Sequence, residues 1–179
     1  DVGAEYANYN ADLSRSIPVS GKFTPRQKEV YNAVLRVKKQ AEQLLVPGTM
    51  LAEYHKEVGL FMEKELIQLG LIDQTDVKNQ NPDWPAYKKY FMHGTSHFLG
   101  LDTHDVGLWN EPIQAGMVFT CEPGIYIPAN SKCDKKWWNI GIRIEDDVVV
   151  TADGCRNLSE NIPRHPDDIE KWMKQILGR

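Results

Sequence analysis

The sequence predicts an α+β domain in which strands carry the unusual polar residues and helices lie across their backs. Three observations lead there. Apolar residues recur at helical spacing through 30–45, 51–69 and 169–176, each run opening on cap-forming or proline residues. Residues 118–127 are crowded with β-formers, and in 142–150 apolar and charged residues alternate. A length of 179 residues with 41% hydrophobic content is sufficient for one core, and no internal repeat or low-complexity segment divides it.

Residues 1–23 mix aromatic, small and polar side chains. Asn8 and Asn10-Ala11 offer turn chemistry, and Ile17, Val19 and Phe23 are strand-like, which predicts a twisted β-hairpin with Asp1 and Asp12 on its two arms. Two carboxylates facing one another across a hairpin repel unless a cation lies between them. Thr24-Pro25-Arg26-Gln27 is a helix start with a capping box. Val30, Val34, Val37, Ala41, Leu44 and Leu45 continue it until Pro47-Gly48 ends the run. Thr49 is predicted to cap a second helix with the stripe Leu51, Tyr54, Val58, Met62, Leu66 and Leu69, closed by Gly70. His55 lies beside that stripe and reads as a partly exposed helix residue. Residues 73–90 form a polar, proline-containing surface connection anchored by Trp84.

Further on, GMVFTCEPGIYIP (116–128) holds two β-rich runs around Glu122-Pro123-Gly124. A carboxylate set in so apolar a strand is costly to desolvate, so Glu122 needs a positive partner. After a loop over 129–139, residues 140–151 read as one strand. Ile142, Ile144, Val148 and Val150 alternate there with Arg143, Glu145 and Asp147, so Arg143 and Glu145 share a face. Ala152-Asp153-Gly154 is a hairpin turn. A closing helix spans about 166–177, with Ile169, Trp172, Met173 and Ile176 as its stripe.

Composition excludes some functions. A net charge of −4 and a pI near 5.7 argue against nucleic-acid binding, and the basic clusters at 36–39, 88–89 and 135–136 are short solvated faces. Mean hydropathy is −0.48 and no apolar run approaches a membrane span. The three cysteines, Cys121, Cys133 and Cys155, form no CxxC pair, so a reducing, cytoplasmic compartment is expected.

The densest chemistry lies in 91–107, FMHGTSHFLGLDTHDVG, which holds three of the five histidines: His93, His97 and His104. A buried histidine needs partners for both ring nitrogens, so this density points to a binding site. Asp102 and Asp105 are assigned a structural role, holding His104 and its loop. Asp1, Asp12, Glu122 and Glu145 with His97 make a set of four carboxylates and one imidazole, which cannot stay ionised together without cations. Two divalent metals would balance the set. Its oxygen-rich character suits Mn2+, or Co2+, Fe2+ or Zn2+ by availability, rather than a thiolate zinc site.

In order along the chain, Asp1-x10-Asp12, HGTSHFLGLDTHDVG, CEPGIYI and GIRIEDDVVVT resemble the pita-bread metallopeptidases, in particular the aminopeptidase P (Xaa-Pro aminopeptidase) branch. The resemblance covers nearly the whole chain. It implies a curved antiparallel sheet backed by helices, with a metal-bridging hydroxide attacking the bond between an N-terminal residue and a following proline. Asp1 would chelate one metal, Asp12 and Glu145 would bridge the pair, and His97 and Glu122 would hold the other. His93 and His104 would bind substrate and stabilise the oxyanion, Glu122 would shuttle the proton, and Arg143 would orient the ligand carboxylates. Partners would be peptides with proline at the second position, and a homo-oligomer is expected of the full-length protein. Prolidase shares these ligands but acts on Xaa-Pro dipeptides, and a non-catalytic peptide-binding module is a further alternative. Because the chain starts at an implied ligand, residues 1–179 are expected to be the C-terminal part of a catalytic domain, incomplete at its N-terminus and weakly active or inactive alone.

Overall fold

The computed structural model describes residues 1–178. Helix α1 (Pro25–Leu44) starts as its sequence dictates: the Thr24 side chain accepts from the Gln27 N–H, and the Gln27 side chain accepts from the Thr24 N–H. Val30, Val34, Val37 and Ala41 are buried along one face. Helix α2 (Leu51–Gln68) packs on α1 and ends at Gly70, whose φ of +70° suits a residue without a Cβ. Its N-cap is Met50, not the predicted Thr49, and no side chain caps it. The Thr49 carbonyl is instead taken by the Ile113 N–H at 2.8 Å, while Met50 forms a bridge with Pro112. Pairing with a distant strand segment has displaced a local cap.

The sheet is built around one long, bent hairpin. Strand β3 (Val118–Cys121) pairs antiparallel with β6 (Asp146–Val150), and β4 (Gly124–Ile127) with β5 (Ile140–Arg143). Both ladders keep one register, from Val118 opposite Val149 to Gly124 opposite Arg143, which sets Glu122 opposite Glu145 at the break between them. The single strand predicted over 140–151 is thus corrected to two. Pro123 has no N–H to continue the ladder, and at the break the Glu122 N–H turns to the Thr95 carbonyl (2.8 Å) and the Glu145 N–H to that of Ser14 (3.0 Å). Strand β7 (Cys155–Asn157) extends β6 through the predicted turn at 152–154. Ile125, Ile127, Ile142, Ile144, Val148 and Val150 form the buried side of this sheet, which α1 covers.

The N-terminal hairpin forms, with β1 (Glu5–Tyr6) and β2 (Tyr9–Asn10) joined through Ala7 and Asn8 at φ of 52° and 67°. The bridge between Val2 and Leu13 continues it, so Asp1 and Asp12 do stand on its two arms. Ile17 and Val19 form no strand: the chain turns at Pro18, whose carbonyl accepts the Gly21 N–H, and both side chains are exposed. The connection 73–90 holds a short helix, α3 (Gln74–Lys78). Trp84 is not an anchor. It is 54% exposed, with the Lys88 ammonium 4.9 Å from its ring centre. In the closing helix α4 (Pro166–Leu177), Ile169 and Met173 are buried, whereas Trp172 and Ile176 are exposed, so the buried stripe is narrower than the apolar one. Among the described residues no helix is long and apolar enough to cross a membrane.

Candidate metal centre

Two outer segments take up the hydrogen bonds released at the hairpin break. On one side residues 95–99 run along β3, with the Leu99 N–H on the Val118 carbonyl (3.3 Å) and the Thr120 N–H on that of His97 (3.0 Å). On the other side the segment around Ser14 runs along β5 and β6, where Arg15 bridges Ile144 and the Arg143 N–H reaches Ser16 Oγ at 3.0 Å. This arrangement draws His97 and Asp12 toward Glu122 and Glu145.

One ligand atom each from Asp12, His97 and Glu145 lies within 4.8 Å of the other two. His97 Nε2 is 3.5 Å from Asp12 Oδ2 and 3.4 Å from Glu122 Oε1. His97 Nδ1 is 2.9 Å from the Phe98 carbonyl, an acceptor only, which assigns the proton to Nδ1 and leaves the Nε2 lone pair facing the carboxylates. That tautomer is the one a metal ligand requires. Glu145 and Asp12 are buried, and Glu145 Oε2 accepts a 2.6 Å hydrogen bond from Ser14 Oγ.

The electrostatics fit a cation. Burial, then the neighbouring Glu145, pushes Glu122 up to about 8, only partly opposed by Arg143. Glu145 is raised by burial and by Asp12. Burial also pushes Asp147 up to about 6, although one of its oxygens accepts the Asp12 N–H at 3.1 Å. Carboxylates held together in this state, around an imidazole with a free lone pair, are a donor set for a divalent ion of the harder kind.

The other predicted residues surround this group. Asp1 lies outside the three mutually close ligands, and its half-exposed carboxylate accepts from the Arg143 guanidinium. Arg143 Nε donates to Ser14 Oγ at 2.9 Å and lies 4.0 Å from Glu145 Oε2, so it reaches the ligand carboxylate chiefly through the serine. The His104 ring stands edge-on to that of His97, centroids 4.5 Å apart. His93 Nδ1 is 2.8 Å from the Gly94 carbonyl and Nε2 is 2.7 Å from the Tyr126 hydroxyl; burial lowers its pKa. Asp105 holds its loop, accepting from the Leu101 N–H at 3.1 Å and the Val106 N–H at 2.8 Å. Neither Asp102 nor Asp105 hydrogen-bonds His104 among the described residues, so the expected hold on that ring is not made.

Sequence reasoning missed Tyr126 and Ser14. For Tyr126 a signal existed, since period-two alternation from Glu122 puts Gly124 and Tyr126 on the same side of the strand. Gly124 is the matching clue: a Cβ there would lie 2.4 Å from the Tyr126 hydroxyl. His55 is also more engaged than predicted, its Nδ1 accepting the Thr95 N–H at 3.2 Å.

Comparison with known proteins agrees with this geometry. Residues 1–152 match the family model described as metallopeptidase family M24. Xaa-Pro aminopeptidase of Escherichia coli (strain K12) is 41% identical over 97% of this chain and 40% of its own length. Xaa-Pro aminopeptidase 3 of Homo sapiens is 39% identical over 98% of this chain and 34% of its own length. Among solved structures, a histidine-to-alanine variant of Escherichia coli aminopeptidase P matches with a TM-score of 0.88 at 39% identity, covering 98% of this chain and 40% of that one. Proline aminopeptidase P II from Yersinia pestis matches at 0.86 and 40% identity, over 96% of this chain and 40% of that one. The chain therefore spans about two fifths of the bacterial relatives it matches. With its pita-bread α+β fold and convergent carboxylate–histidine site, the chain belongs to metallopeptidase family M24.

Proposed function

We propose that this chain carries the metal centre of a dinuclear aminopeptidase that hydrolyses the bond between an N-terminal residue and a following proline. The observation that carries the reading is the convergence of Asp12, His97 and Glu145 donor atoms within 4.8 Å, with Glu122 beside them. Relatives named Xaa-Pro aminopeptidase support the substrate class. Two divalent ions, Mn2+ by the hardness of the oxygen donors, supply when bound an acidified water and Lewis acidity at the scissile carbonyl. Asp12, His97, Glu122 and Glu145, with Asp1 from the edge of the group, are the residues that would hold these ions. Glu122 takes the proton released by the attacking water and delivers it to the departing proline nitrogen. His93 and His104 are assigned to bind substrate and stabilise the developing oxyanion; His93 Nε2, which faces the Tyr126 hydroxyl while Nδ1 is held by the Gly94 carbonyl, would have to carry a proton to donate there. Arg143 and Ser14 hold the Glu145 carboxylate in place. The three free cysteines support a cytoplasmic setting, and the whole protein is read as a homo-oligomer.

The test is the whole protein loaded with Mn2+, assayed on Xaa-Pro-Yaa tripeptides against Xaa-Pro dipeptides, with Glu122→Ala as control. Tripeptide cleavage that the variant loses is the expected result. Preference for the dipeptide would move the assignment to a prolidase-type activity, and no hydrolysis of either would overturn it.

A further inference from the structure

Where the chain passes from Glu145 at the hairpin break into β6, a second charged cluster lies on the opposite side of the sheet. The apolar series Ile142, Ile144, Val148 and Val150 is interrupted by Asp146, which is fully buried. Its Oδ2 accepts from Lys38 Nζ at 2.7 Å, from Asn157 Nδ2 at 2.9 Å and from Arg164 at 3.3 Å, and its Oδ1 pairs with Arg15. Lys38 is itself buried, on the α1 face that otherwise presents Val34, Val37 and Ala41. Arg15 does more than neutralise charge. One of its guanidinium nitrogens donates to both the Ser14 carbonyl (2.9 Å) and the Glu145 carbonyl, and its Nε donates to the Pro163 carbonyl at 2.9 Å.

A buried ion cluster is weak evidence for stability, because an apolar replacement of the same volume often serves as well. What distinguishes this one is its attachment. Arg15 grips the backbone of Ser14 and Glu145, the two residues whose side chains meet at 2.6 Å on the metal side. Asp146 and Lys38 in turn anchor Arg15 and β6 to α1. We propose that Lys38, Asp146 and Arg15 form a positioning cluster that fixes the Asp12–Ser14 arm against Glu145 and thereby sets the metal affinity of the centre. They are positioning residues, since none of them is among the metal-facing ligands. The inference rests on the metal-centre reading above and deepens it.

Arg15→Lys tests it. Lysine keeps a positive charge for Asp146, but one ammonium cannot replace the planar fork that reaches Asp146, Ser14, Glu145 and Pro163 together. In the whole, metal-free protein titrated with Co2+ alone and followed by visible absorption, the variant is expected to bind at least about tenfold more weakly than wild type, with an altered ligand-field spectrum. Lys38→Gln, which removes charge but keeps a hydrogen-bonding group, is expected to weaken binding in the same direction and carries the test if Arg15→Lys does not fold. Val58→Ala, in the α2 core, is the control for lost stability: its melting temperature falls while Co2+ affinity stays within about twofold. The inference is overturned if Arg15→Lys binds Co2+ as wild type does, or if Val58→Ala weakens binding equally. Wild-type protein that takes up no Co2+ would overturn the metal-centre reading itself, and this inference with it.

Discussion

The two sides of the sheet at Glu145-Asp146-Asp147, where the hairpin break leads into β6, treat their carboxylates in opposite ways. On the core side, burial pushes Asp146 up, but Lys38 and Arg15 more than reverse this and hold it below the usual carboxylate range. On the metal side, burial and mutual repulsion raise Glu122 and Glu145, and the nearest guanidinium, that of Arg143, does not restore them. Both sides are acidic and buried, and only one is neutralised from within the chain. The direction of the shift, more than the presence of acidic residues, separates a self-contained ion cluster from a site that requires a cation.

Breaking the neutralised side is expected to have the largest effect. Lys38→Met leaves Asp146 buried with its closest ammonium gone, and should cost about 3–5 kcal/mol of stability by denaturant unfolding. The double variant Lys38→Met with Asp146→Asn should recover part of that loss, since it removes the stranded charge while leaving Arg15, Asn157 and Arg164 an amide oxygen to donate to. Recovery of folding without recovery of metal affinity would show that the cluster's contribution is geometric. Failure of the double variant to recover stability would mean that Asp146 is not the group that needs Lys38.

The metal side should respond in reverse. In the metal-free protein, burial and the neighbouring Glu145 push Glu122 up to about 8, against 4.5 for the exposed group in the unfolded chain. Between those values the folded state holds a proton that the unfolded chain has released, so stability falls as pH rises through that window. Glu122→Gln should flatten the slope and stabilise the metal-free protein at pH 8 by up to about 4 kcal/mol, while abolishing activity of the loaded enzyme. Asp146 has the opposite sign: its contribution is present above the unfolded value of about 3.9 and is lost as pH falls through its lower folded value. Thermal melts of metal-free protein across pH check both signs. An unchanged slope in Glu122→Gln would remove the contrast.

A smaller effect is expected behind the metal side, where His55 holds the Thr95 N–H and the Thr95 carbonyl accepts the Glu122 N–H. His55→Ala should cost about 1–2 kcal/mol, because it strands a part-buried donor. Burial lowers the His55 pKa, so its contribution is present above the unfolded value near 6.5 and declines as pH falls through the folded one. A histidine whose NMR titration midpoint lies above 6.5 would contradict that placement.

What could be read in the sequence follows from which interactions are local. The Thr24 capping box, the apolar stripes of α1 and α2 and the turn at 152–154 depend on neighbours a few residues away, and all form. The close group of Asp12, Glu122, Glu145 and His97 was open to sequence reading because acidic residues and a histidine sit where apolar or turn residues would ordinarily serve, whereas Asp1, grouped with them on the same ground, lies apart on Arg143. The break in the long hairpin was not, since it depends on Thr95 and Ser14 arriving from distant parts of the chain. Met50 replacing Thr49 as the α2 cap has the same non-local origin. Lys38 and Asp146 are each a charge within an apolar periodicity and meet across the core, so the alternation that pairs Arg143 with Glu145 also sets Asp146 on the buried side, while its partner on α1 comes from a distant part of the chain.

The smallest effect is the sharpest control on this contrast. Lys28 lies on α1 like Lys38, which pairs with Glu42 as well as Asp146, and it too has two acidic partners, Asp167 at 2.7 Å and Glu170 at 3.1 Å. Its ammonium is part-exposed, unlike that of Lys38, so Coulomb attraction there is screened and ordering two long side chains costs entropy. Pairing by itself would therefore make Lys28→Met resemble Lys38→Met, whereas burial as the deciding term predicts a denaturation midpoint indistinguishable from wild type. Measured side by side, the two substitutions remove the same atoms from the same helix and differ in what each leaves behind. An effect of Lys28→Met comparable to that of Lys38→Met would show that the core-side cluster owes nothing special to its desolvation, and the contrast between the two sides of the sheet would lose its physical basis.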